Sequence, residues 1–85
     1  MDERKKSKPL LLTIVVLLRN TTWRCGKLER SVVRSLYKTH QRFGKPELSV
    51  NALMQNINLA DEKQNELIDA IKRLEKRNIV KTLAQ

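Results

Sequence analysis

Leu10-Leu11-Leu12-Thr13-Ile14-Val15-Val16-Leu17-Leu18-Arg19 is the stretch on which the architecture turns. It is apolar almost all round, so it belongs inside the protein as a buried helix or as a central strand. Thr13, Ile14, Val15 and Val16 are β-branched and keep the strand open as an alternative. No comparable strand follows for it to pair with, and a helix over 10–19 is the expectation. Arg4, Lys5, Lys6 and Lys8 precede the run, as in a secretory leader. The run is nevertheless short of the about 20 apolar residues that span a bilayer, and no small-residue cleavage pattern follows Arg19-Asn20. A core element, an intracellular setting and no membrane partner are expected.

Working outward, 85 residues make one domain, with 1–9 as a basic arm and 10–85 as the folded unit. Trp23, Tyr37 and Phe43 are the only aromatics, so Leu, Ile and Val must build the core. Cys25 is the sole cysteine and His40 the sole histidine. A disulfide framework is excluded, and a structural zinc, which takes four ligands, is poorly supplied. Cys25 and His40 as nucleophile and base would need an oxyanion hole that nothing here provides. The two glycines, Gly26 and Gly44, make no phosphate-cradling loop. A non-catalytic protein without metal or cofactor is expected.

Three amphipathic helices follow the apolar run. Over Lys27–Phe43, Leu28, Val32, Leu36 and Phe43 form one stripe, with Val33, Tyr37 and His40 beside it; Gly44 then Pro46 stop the helix. Ser49 is an N-cap for a short helix whose apolar positions are Val50, Leu53, Met54 and Ile57. Asp61, with Gln64 three residues on, predicts a capping box for the last helix. Leu67, Ile68, Ile71 and Leu74 are its expected buried face. Asn78 suits a left-handed stop, and Ile79–Leu83 alternates as a strand.

A short helix, a tight turn, and a longer helix running into Lys72-Arg73-Leu74-Glu75-Lys76-Arg77-Asn78-Ile79-Val80 resemble the helix-turn-helix of winged-helix domains, where the recognition helix passes into the first wing strand. The apolar segment 10–19 also resembles the extra helix that opens the winged-helix domain of origin-recognition and replication-initiator ATPases. These resemblances imply a mainly α fold: three to four helices, a short C-terminal strand and a wing reduced because little chain follows Val80. They also imply DNA binding.

The net charge of +9 favours an anionic partner. Residues 19–45 carry eight basic side chains against one acid, Glu29, a balance of +7. Arg30, Arg34, Lys38 and Arg42 recur every fourth residue and make a basic ridge suited to a phosphate backbone. Such a ridge also occurs as an ordinary solvated face. Arg19, Arg24 and Lys27 extend it. In the docking mode of a winged helix, Lys63, Gln64, Asn65, Lys72 and Lys76 would face the bases or phosphates, Gln and Asn being able to pair with adenine. Asp61, Glu62, Glu66 and Asp69 on the same helix oppose that mode and read more naturally as solvated charges and helix-start acids. Trp23, next to Arg24, can stack on a base or anchor its loop on the core; anchoring is the expectation. The reading is a nucleic-acid-binding module, DNA before RNA, held by phosphate contacts. The alternative is a protein-interaction or self-associating module of a replication, chromatin or transcription assembly.

Overall fold

The computed structural model describes residues 12–83. The basic arm, and the first two residues of the apolar run, lie outside that range. Within it, Ile14–Leu17 is not helical: it is a strand, β1, at the centre of a three-stranded antiparallel sheet. Helix α1 (Lys27–Phe43) follows, then strand β2 (Glu47–Ser49), helix α2 (Val50–Ile57), helix α3 (Gln64–Lys76) and strand β3 (Val80–Leu83). The fold is α+β, and the expected mainly α domain with a leading helix is corrected by the sheet.

The reason lies in the partners. A central strand must be apolar, but the strands that flank it need not be. Val15 pairs with Leu48 on one side and Thr82 on the other, and Val16 with Glu47 and Lys81. The missing "comparable strand" is therefore two short, half-polar ones. Backbone bonds continue past the ladder: Leu17 N–H donates to Pro46 O at 2.8 Å and Leu18 N–H to Ile79 O at 2.7 Å. Alternation then divides the strand's side chains. Val15 is fully buried and Leu17 packs on the core, whereas Ile14 and Val16 on the other face are half-exposed.

All three helices lie where their apolar periodicity expects them. Ser49 Oγ accepts from Ala52 N–H at 3.1 Å and caps α2. Gly44, at φ 81°, ends α1, its N–H donating to His40 O at 2.8 Å. Asn78 adopts φ 59° after α3. The Asp61 capping box is not formed. Asp61–Lys63 instead make a 3-10 turn that delays α3 to Gln64, and neither start has a side-chain cap. Val32, Val33, Leu36, Leu53, Met54, Leu67, Ile71, Leu74, Ile79 and Val80 join Val15 and Val50 in one core. Phe43, expected on the core stripe, is 74% exposed, because α1 runs past the end of the core there. Ile68 is half-buried, and Ala70 takes a fully buried position on α3.

Candidate nucleic-acid interface

The core-facing positions of α1 are Glu29, Val32, Val33 and Leu36. At about 100° per residue, Lys27, Arg30, Arg34, Lys38 and Arg42 fall within an arc of about 120° on the side directly opposite. All five are exposed. Among the described residues none of them forms an ion pair, so no described carboxylate neutralises their charge. No carboxylate interrupts the arc, because the helix's single acid, Glu29, points into the protein.

Glu29 organises a second basic region. It is buried, and its Oε1 accepts the Gly26 N–H at 2.7 Å, so it caps the helix from its third position. Its Oε2 accepts from Arg73 Nε on α3 at 2.5 Å. Burial pushes this carboxyl's pKa up, but the Gly26 N–H and the Arg73 guanidinium together outweigh it and hold the pKa below the usual value. Glu29 is therefore an anion at neutral pH that ties the start of α1 to the end of α3.

Around that junction the chain folds the 20–26 loop onto Arg77. The Arg77 guanidinium donates through Nη2 to the Trp23 carbonyl and through Nη1 to the Arg24 carbonyl, 3.3 Å, and the Cys25 Sγ, 3.5 Å. Arg19 Nη2 in turn donates to Arg77 O at 2.8 Å. Arg24 sits at φ 58°, a left-handed conformation uncommon for a side-chain-bearing residue. The loop is thus held by its backbone. The Trp23 ring is not the anchor expected of it: it is 70% exposed, with the Arg24 guanidinium 5.5 Å from its centroid. An open groove beside it is lined by Arg24, Gly26, Glu29, Arg73, Lys76 and Arg77.

The structure therefore brings Arg19, Arg24 and Lys76 together, and adds Arg73 and Arg77. Their tertiary partners, 44 and 52 to 54 residues away, leave no local sequence signal. Lys63, Gln64 and Asn65 stand apart, at the other end of α3 and about 18 Å along it. Lys63 pairs with Glu66 at 3.5 Å, and Gln64 is half-buried. Lys72 lines a different, largely apolar cleft with Thr13, Val50, Ile68, Ile71, Glu75 and Thr82.

Cys25 precedes α1, whereas exposed His40 lies about 20 Å along that helix, a separation that prevents them acting as a nucleophile–base pair. Among the described residues no three His, Cys, Asp or Glu side chains are grouped to hold a metal, and no helix is long and apolar enough to cross a membrane. The chain matches no model of a known protein family, and neither a curated protein nor a solved structure matches it.

Proposed function

We propose that this chain is an intracellular, non-catalytic nucleic-acid-binding module, DNA favoured over RNA, that holds its partner through phosphate contacts. One observation carries the reading: the outer face of α1 presents Lys27, Arg30, Arg34, Lys38 and Arg42 together, exposed, without an ion-pair partner among the described residues and with no carboxylate between them. Charges at this spacing repel one another by a few tenths of a kcal/mol per pair. A polyanion lying along the helix removes that cost and releases counterions as it binds.

The winged-helix relationship is part of the proposal. From α1 through β2, α2 and α3 to β3, the chain runs as such a domain does from its first helix into the strand after its recognition helix. Where such a domain pairs that strand with a wing partner, β3 here pairs with β1, from Ile14↔Leu83 to Leu17↔Val80. Base reading by the first half of α3 is not part of it, since Glu66 and Asp69 are exposed there and Glu62 is exposed on the turn just before it. That acidic stretch favours the second reading, a surface for docking a protein.

The test is fluorescence anisotropy with labelled duplex DNA, single-stranded DNA and RNA across a salt series. The double variant Arg34→Glu/Lys38→Glu should weaken binding at least about tenfold on every sequence and lower the salt slope on duplex by about 1.8, at about 0.9 per phosphate contact. Its circular dichroism should be unchanged. Unaltered affinity, or binding to all three that vanishes with modest salt in the unmodified chain, overturns the proposal and leaves protein docking.

A further inference from the structure

We infer that Trp23 is a stacking platform for an unpaired nucleobase, so that the Trp23-Arg24 turn binds single-stranded nucleic acid in preference to continuous duplex. This rests on the nucleic-acid reading above and specifies its ligand.

The ring is the chain's one tryptophan, and the core does not use it: seven-tenths of it is exposed. A large apolar ring left in water costs solvation free energy that an anchoring role would have recovered. The turn that carries it is fastened from behind. Arg77 binds the carbonyls of Trp23 and Arg24 and the sulfur of Cys25, and Arg19 binds the carbonyl of Arg77. Trp23 N–H donates to Thr21 Oγ1 at 3.3 Å. With its backbone tied at so many points, the ring loses little further freedom when a partner stacks on it.

Chemistry selects the partner. The Arg24 guanidinium covers one side of the indole at 5.5 Å, and among the described residues no other cation or ring contacts it. Its other side is left for a flat, electron-poor surface, which a nucleobase supplies. The adjoining groove holds Arg24, Arg73, Lys76 and Arg77 against a single acid, Glu29, and Arg73 already engages that acid. Phosphates flanking a stacked base therefore find cations beside the ring. A base inside a duplex has both faces covered by its neighbours and offers only its edges. Only an unstacked base can present a face to Trp23, which selects a single strand.

The lone tryptophan reports on its own occupancy. The full chain is titrated with an unlabelled single strand of about 12 nucleotides and, separately, with a duplex of about 60 base pairs that repeats the same sequence, so that terminal base faces are few. Quenching of the Trp23 emission is expected with the single strand, with little change on the duplex. By anisotropy with labelled strands, Trp23→Ala should cut single-strand affinity about tenfold and duplex affinity less than about twofold, and Trp23→Phe should recover most of the loss. Single-strand binding without quenching, or an equal loss on both ligands, overturns the stacking role and leaves the α1 proposal standing. Absence of binding to either ligand overturns both.

Discussion

The outer face of α1 and the Trp23-Arg24 turn are both basic and both exposed, yet they are built by opposite means. On α1 the helical repeat alone sets five cations in a row, and each side chain needs nothing but its own backbone to be there. At the turn every position depends on residues far along the sequence: Arg77 holds the loop and Glu29 joins α1 to α3 through Arg73. Changes on the first region therefore alter binding with little effect on folding. Changes on the second alter folding and presentation together. A periodic surface is robust but nonspecific, whereas a tertiary one can hold a single ring in place at the cost of being easy to break.

Glu29→Ala attacks the junction between the two regions and should have the largest effect. It removes the acceptor for the Gly26 N–H and the partner of Arg73, a loss of about 2 kcal/mol once the exposure of Arg73 to solvent is discounted, read as a lower midpoint in urea. The pH dependence follows from its lowered pKa. Its contribution is fully present above the ordinary value of 4.5 and is lost as pH falls through the lowered folded value. Wild type and variant should therefore converge in stability in acid and differ most near neutrality; a gap that is constant with pH would contradict this.

Arg77→Met separates the regions further. It frees the carbonyls of Trp23 and Arg24, which water can reach, so its cost is nearer 1 kcal/mol. The emission of Trp23 should become more mobile, with lower steady-state anisotropy, while phosphate binding by α1 falls by no more than one contact's share of the salt slope. Equal damage to both functions would show that the two regions are not independent.

Phe43→Ser should do least. The ring is 74% exposed at the end of α1, and the change should stay within about 0.5 kcal/mol in a thermal melt. A larger loss would mean that the end of α1 is packed more firmly than its exposure indicates.

What was legible in the sequence follows the same division. The bounds of α1 and α2, the Ser49 cap, the stops at Gly44 and Asn78 and the C-terminal strand are local chemistry, and each is where residue type places it. The basic ridge is periodic and so was visible too. The 10–19 run reads as a helix by itself because its identity depends on neighbours. Glu47–Ser49 has no apolar repeat of its own and pairs only because β1 lies beside it. Trp23 departs from expectation for a related reason: Arg77 does the anchoring, and no pattern near Trp23 announces a residue 54 positions away. Asp61 failed as a cap because a tighter turn competed for the same three residues.

The place of β1 has a consequence for how the molecule comes into being. The strand and its longer partner, β3, are separated by all the helices, Ile14 pairing with Leu83. On a ribosome, the most β-prone segment would wait with one edge open until nearly the whole described region had been translated. The helices, whose contacts are local, can form meanwhile, and β2 can pair with β1; the β1–β3 ladder cannot form. For that interval the edge of Ile14-Val15-Val16-Leu17 that β3 will cover is an open apolar template for neighbouring chains. Chaperone demand during synthesis is therefore set less by the strand itself than by the delay before its last partner arrives.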